Sequence, residues 1–186
     1  MTDEDLTEFI KGCQCNNRWA QESLYKYFYD DMFRTCQRYT EDAHQALSIL
    51  NDAFLKVFLN ISKYKKETGS FKVWLKTIVI NTAIDYTRSC KKEIRLIHID
   101  SITEQGNDDF ILHYNWKQEE LLQHFKLLPA VTRVVINLFA FDGYTHKDIA
   151  RHLNITETTS RWHLSEARKR LKNTMQLKQP KMVKYE

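Results

Sequence analysis

Thr145-His146-Lys147-Asp148-Ile149-Ala150-Arg151-His152-Leu153-Asn154-Ile155-Thr156-Glu157-Thr158-Thr159-Ser160-Arg161-Trp162-His163-Leu164 has the pattern of two helices joined by a tight turn. Thr145 is placed to cap the first helix, with Asp148 three residues on, where a carboxylate favours a helix N-terminus. Ile149, Ala150 and Leu153 face inward, and the small Ala150 permits close approach of the second helix. Asn154 stands in the turn, where a residue that tolerates positive φ is wanted, and Ile155 plugs the gap between the helices. Thr156 then caps a second helix whose first turns carry Thr158, Thr159, Ser160, Arg161 and His163, with Arg168, Lys169 and Arg170 further along. Short hydroxyls and an Arg near such an N-terminus can meet phosphates and base edges in a major groove. The pattern therefore points to a DNA-binding helix-turn-helix. A plain helical hairpin is the alternative it leaves open.

Working back along the chain, Val131, Val134, Val135, Leu138 and Phe139 begin another helix, ending at Asp142-Gly143, where glycine can take the left-handed conformation. Leu121, Leu122, Phe125 and Leu128 form a short amphipathic helix that must stop near Pro129. Between Lys91 and about Lys117 periodicity fades into Ser101-Ile102-Thr103-Glu104-Gln105-Gly106-Asn107-Asp108-Asp109, read as an exposed linker. Before it, three apolar stripes of helical period follow one another. The first runs through Trp19, Leu24, Tyr25, Phe28, Met32, Phe33 and Cys36 in residues 18–40. The second runs through Leu47, Leu50, Phe54, Val57, Phe58 and Ile61 in residues 44–62. The third runs through Phe71, Trp74, Leu75, Ile78 and Thr82 to about Arg88, with Ser70 as its N-cap.

The chain of 186 residues, 42% hydrophobic and with 4 Gly and 2 Pro, has core material but too few breakers for many short strands. The expected fold is all-α: two small helical domains joined by a flexible linker. Boundaries are expected at 1–92 for the first domain, 93–116 for the linker, 117–177 for the second domain and 178–186 for a basic tail. No stretch approaches the roughly 20 apolar residues of a membrane span. Asp3, Glu4, Asp5 and Glu8 oppose a signal peptide, so a cytoplasmic location is expected.

Charge is unevenly spread. Residues 63–95 hold nine Lys or Arg against three acids, residues 151–184 hold nine against two, and the remainder is acidic on balance. Two basic surfaces on an acidic scaffold suggest two contacts with a polyanion, although solvated helix faces look the same from charge alone. Cys13, Cys15, Cys36 and Cys90 match neither a paired zinc motif nor a disulfide framework, and reduced thiols are the expectation. No HExxH pattern, Gly-rich phosphate loop or Ser, His and Asp set is visible, so neither catalytic residues, a metal nor a cofactor is expected.

Gly69-Ser70-Phe71-Lys72-Val73-Trp74-Leu75-Lys76-Thr77-Ile78-Val79-Ile80-Asn81-Thr82-Ala83-Ile84-Asp85-Tyr86-Thr87-Arg88 resembles the region 2 signature of bacterial RNA polymerase sigma factors of the extracytoplasmic-function (ECF) type. Leu128-Pro129, Gly143-Tyr144-Thr145-His146-Lys147-Asp148-Ile149-Ala150 and Thr159-Ser160-Arg161 resemble the family's region 4, with wording closest to Bacteroidetes-like members. The resemblance implies a region 2 helical bundle that binds and opens the minus-10 element and a region 4 helix-turn-helix that binds the minus-35 element. It implies core RNA polymerase and promoter DNA as partners and a membrane-anchored anti-sigma factor as a regulator.

Carried onto this chain, the candidate minus-35 residues are Thr158, Thr159, Ser160, Arg161, His163 and Arg168. The candidate minus-10 residues are Lys65, Lys66, Lys72, Lys76, Asn81 and Arg88, with Asn81 suited to a base edge because an amide both donates and accepts. Asn51, Asp52 and Lys56 are the candidate polymerase contacts, where the family more often has Gln-Glu in place of Asn51-Asp52. Trp74 shares an apolar stripe, which favours core packing. For Tyr64, in a charged loop, base stacking and a plain surface role both stand. Glu166 and Trp162 depart from the family pattern on the second helix of the motif. A stand-alone helix-turn-helix regulator is the competing reading, and it has no need of the basic, Asn81-bearing helix in the first domain.

Overall fold

The computed structural model of the protein describes residues 3–90 and 118–176, all of whose regular elements are helical. The chain divides into two compact units, Met1–Cys90 and Lys91–Glu186. The expected linker 93–116 and basic tail 178–186 lie outside the described residues.

The first unit holds α1 (Asp3–Gln14), α2 (Arg18–Tyr39), α3 (Ala43–Asn60) and α4 (Phe71–Cys90), with single 3₁₀ turns at Ile61–Lys63 and Lys66–Thr68. Side chains start the helices: Asn17 accepts from the Ala20 amide at 3.1 Å, and Asp42 accepts from that of Gln45 at 2.8 Å. Each thereby satisfies an amide that the first turn leaves without an intrahelical partner. The Ser70 hydroxyl lies 3.4 Å from the Val73 amide at the start of α4. Leu24, Phe28, Met32 and Cys36 of α2 repeat every fourth residue and are buried against Leu50, Phe54 and Val57 of α3 and Phe71, Leu75 and Val79 of α4. Each such large apolar side chain contributes about 1.5–3 kcal/mol when fully buried. Leu47, expected in the α3 stripe, is instead 37% exposed, because the core-facing register of α3 runs through Ala46, Ile49 and Ala53.

The helix α1 has no counterpart among the sequence expectations, which took residues 3–8 only as an acidic start. Its apolar face is narrow, with Ile10 and Cys13 buried and Phe9 packing edge-on to Trp19 at 5.2 Å. What brings it close is Gly12, where a Cβ would stand 2.6 Å from the Ala20 Cβ. A Gly12→Ala substitution gains about 1 kcal/mol of helix propensity. The overlap with a backbone-fixed methyl outweighs this, so a net loss of about 1–2 kcal/mol is expected, read as faster amide exchange in residues 3–20.

The second unit holds α5 (Gln118–Lys126), α6 (Ala130–Ala140), α7 (His146–Leu153) and α8 (Glu157–Gln176). Here α6 is central, for every residue from Val131 to Leu138 is buried, Arg133 and Asn137 included. Arg133 is 1% exposed and its Nη2 donates to the carbonyls of Leu128 at 3.0 Å and Lys126 at 3.4 Å. A cation thus sits on carbonyls that the end of α5 leaves open. Gly143, at φ 72°, turns the chain after α6, and the Tyr144 amide donates back to the Leu138 carbonyl at 2.9 Å.

Candidate nucleic-acid interface

The helix-turn-helix forms from its own side chains. The Asp148 amide donates to the Thr145 hydroxyl at 3.2 Å, and the Thr145 amide donates to the Asp148 carboxylate at 3.4 Å, a reciprocal cap. The Thr145 hydroxyl in turn donates to the Asp148 carboxylate at 2.5 Å, and this bond, ahead of the one from the Thr145 amide, holds the Asp148 carboxyl below the usual range. Asn154 takes the left-handed conformation, φ 54° and ψ 50°, and the Thr159 amide donates to Thr156 Oγ1 at 3.0 Å at the start of α8.

On α8 the expected residues separate into two sides. Thr158 and Arg161 are exposed, and Arg161 also lies 3.6 Å from Glu157. Thr159 is half-buried with its hydroxyl 2.8 Å from that of Thr156. Ser160, expected at the DNA, is instead fully buried, with Oγ 2.9 Å from His146 Nδ1, and faces inward with Leu164, Ala167 and Leu171. His163 is likewise turned from the outer face, half-buried with Nδ1 3.0 Å from Thr132 Oγ1, where it ties α8 to α6. Arg168 is half-buried at the flank. The outward row is Thr158, Arg161, Ser165, Lys169 and Lys172, spaced by three or four residues and all exposed. Ser165 and Lys172 were absent from the sequence expectations, although the same spacing finds them. Glu166 bonds Arg170 at 2.5 Å and lies beside this row rather than in it, as does half-buried Trp162.

His146 stacks on Phe139 at 4.6 Å, and burial, with the Arg161 and Arg168 charges adding to it, lowers its pKa from the ordinary 6.5. The folded unit therefore protonates this ring less readily than the unfolded chain does. The stability so contributed is whole above about pH 6.5 and is lost as pH falls from there through the lowered folded value. Thermal melts at falling pH should show the second unit weakening below 6.5, with a shallower fall in His146→Gln.

In the first unit the basic loop before α4 is closed on itself. The Tyr64 hydroxyl donates to the Gly69 carbonyl at 3.1 Å and the Thr68 hydroxyl to the Lys65 carbonyl at 2.7 Å. Gly69 has φ 143°, a conformation that favours glycine. The Tyr64 ring packs on Phe71 at 5.2 Å and on Trp74 at 5.5 Å, and burial pushes its phenol above the ordinary value, with Glu67 adding to it. Tyr64 therefore holds the loop's shape, and Trp74 is half-buried in the same cluster. Lys65 and Lys66 project into solvent from this frame. Beyond it along α4 come exposed Lys72, half-buried Lys76 and Asn81, and exposed Arg88.

On α3 the expected polymerase contacts are all exposed. Asn51 accepts from the Tyr25 hydroxyl at 2.9 Å and Lys56 lies 3.5 Å from Asp85. Beside them stand Leu55 and Leu59, 58% and 72% exposed, which sequence patterning passed over because they fall outside the core stripe. Two bare leucines one turn apart, flanked by Asp52 and Lys56, form an apolar strip with a polar rim.

Among the described residues no cluster of three His, Cys, Asp or Glu could hold a metal ion, and no helix is long and apolar enough to cross a membrane. Cys13, Cys15 and Cys36 are free thiols, and burial pushes Cys13 up to about 11 and Cys36 to about 12.

Comparison with known proteins finds two family matches, Sigma-70 region 2 over residues 24–93 and Sigma-70, region 4 over residues 118–171, about two thirds of the chain between them. The ECF RNA polymerase sigma factor SigM of Bacillus subtilis (strain 168) is 27% identical over 153 residues, covering 81% of this chain and 92% of that protein. The ECF RNA polymerase sigma factor SigE of Mycolicibacterium smegmatis is 24% identical over 157 residues, covering 82% of this chain and 60% of that protein. Among solved structures, the sigma factor RpoE of Bartonella quintana, crystallised with the anti-sigma factor NepR, has the same fold. It superposes with a TM-score of 0.51 at 17% identity, over 85% of this chain and 99% of that one.

Proposed function

The chain belongs to the ECF RNA polymerase sigma factors, and from that premise we propose how its residues share the work of initiation. A sigma factor joins core RNA polymerase, brings it to promoters and helps open the DNA. The catalytic centre belongs to the polymerase, and the protein acts where the polymerase is, in the cytoplasm.

In this reading the outward row of α8, Thr158, Arg161, Ser165, Lys169 and Lys172, enters the major groove of the minus-35 element. Its N-terminal members meet base edges and its lysines meet phosphates. Ser160 and His163 orient the helix from within, and Arg168 reaches backbone from the flank. Lys65, Lys66, Lys72, Lys76 and Arg88 follow the displaced strand of the minus-10 element, and Asn81 reads a base edge. Asn51, Asp52 and Lys56, together with Leu55 and Leu59, dock on the polymerase. The single observation that carries the reading is the coexistence, in one chain, of a capped helix-turn-helix and a basic loop-and-helix surface on a separate unit. A stand-alone regulator needs only the first. A sigma factor of this fold was crystallised with an anti-sigma factor, which supports a partner of that class; the further reading is that this partner is membrane-anchored and holds the protein inactive.

The test is transcription in vitro with core polymerase, with and without the protein, on a pool of genomic promoters. RNA starts that appear only with the protein, preceded by two spaced motifs, are expected. Arg161→Ala should weaken those starts by about ten- to a hundredfold, the loss of one good base contact at ~1–3 kcal/mol. No new starts, with tight duplex binding by the protein alone, would favour the stand-alone regulator.

A further inference from the structure

Two of the cations assigned above to the opened strand are already matched with carboxylates of their own chain. Lys72 Nζ lies 2.5 Å from Asp31 Oδ2, joining α4 to α2. Arg88 Nη1 lies 3.8 Å from one oxygen of Asp85, whose other oxygen is 3.5 Å from Lys56 on α3. Neither pair is a buried fixture: the side chains are 59% and 50% exposed in the first and 42% and 58% in the second. The position of α4 is set by Phe71, Leu75, Val79 and Ile84, all buried, and exposed pairs of this kind add little to stability. Their electrostatic consequence lies elsewhere. A phosphate that approaches Lys72 meets a cation paired with its own carboxylate, and one that approaches Arg88 meets a cation that shares a carboxylate with Lys56; in either place it must displace or share that carboxylate.

We infer that Asp31 and Asp85 are built-in competitors of the DNA backbone, which hold down the affinity of the free protein for single strands. The inference rests on the reading of α4 as the strand-contacting helix. The basic helix is then expected to bind poorly alone. Once polymerase and the minus-35 contact fix the helix beside its target, the exchange of carboxylate for phosphate becomes an intramolecular event at high effective concentration. Asp31 and Asp85 are thus positioning residues that act through Lys72 and Arg88.

The experiment measures binding of the full chain to a fluorescein-labelled mixed-sequence single strand by anisotropy across a salt series. Asp31→Asn and Asp85→Asn should each tighten binding about two- to fivefold at low salt, the worth of one exposed pair. Each should also steepen the dependence of log K on log salt by about 0.7, one further phosphate contact on a single strand. Glu22→Gln makes the same change in net charge but frees Lys26 on α2, bonded at 2.6 Å, and should leave binding unchanged. In a Lys72→Gln background the Asp31→Asn gain should vanish. If either aspartate variant binds no better than the parent, or Glu22→Gln gains as much, the competition is overturned. Should Lys72→Gln and Arg88→Gln themselves leave binding intact, the strand-contacting role of α4 fails, and the competition with it. Circular dichroism melts confirm that each variant remains folded.

Discussion

Arg133→Ala is expected to cost the second unit about 3–5 kcal/mol, the range for emptying a large, fully buried side chain and stranding the groups it served. The guanidinium is 1% exposed and donates to the Leu128 and Lys126 carbonyls where α5 hands over to α6. Removing it leaves a void at the centre of the unit and takes the donor from two carbonyls. For a unit this small such a loss approaches its whole stability. Arg133→Met separates the two contributions, since it keeps most of the volume and loses only the donors; about 1–3 kcal/mol is expected. Hydrogen exchange followed by mass spectrometry reads the units separately. Protection should collapse across residues 118–176 in the alanine variant and stay at parental values across residues 3–90. Unchanged protection in the second unit would mean that the α5 carbonyls find other donors.

The second large effect is functional. Leu55→Asp combined with Leu59→Asp is expected to weaken binding to core polymerase by at least a hundredfold, because hot-spot apolar contacts are worth about 2 kcal/mol or more each and a carboxylate in an apolar contact adds a desolvation cost. The free protein should melt close to the parent's temperature, since these side chains are 58% and 72% exposed and lie outside the buried core. Titration of labelled protein with core polymerase gives the affinity. Binding as tight as the parent's would move the docking surface off this face of α3, whereas Asn51, tied to Tyr25 by its side-chain oxygen, could still act through its amide nitrogen.

Apart from α1, the helices of both units were legible because their physics is local. Stripes spaced by three and four, the caps at Thr145 and Ser70, and the left-handed Asn154 all follow from neighbouring residues. The candidate site was less legible, because polarity in a sequence does not say which way a polar group faces. Ser160 and His163 read as DNA contacts by type, yet Ser160 shares the buried row of Leu164, Ala167 and Leu171. Helical spacing alone would have turned it inward. Two features depend on tertiary partners and left no local trace: the docking of α1, made possible by Gly12 against Ala20, and the burial of Arg133 at the end of α5. Tyr64 shows the opposite case. Its charged neighbours suggested exposure, but Phe71 and Trp74, seven and ten positions on, supply the rings it packs against.

The division into two units, each built from helices that pack on near neighbours in the chain, has a consequence for biosynthesis. Helical bundles of low contact order fold in microseconds to milliseconds, whereas a ribosome adding ~5–20 residues per second needs roughly 5–20 s to deliver residues 91–186. The amino-terminal unit therefore completes its core while the rest is still being translated. Its aromatic and leucine-rich helices spend little time as an exposed nascent chain, and a folding defect in the later unit, such as that of Arg133→Ala, should leave behind a soluble, correctly folded first half rather than an aggregate.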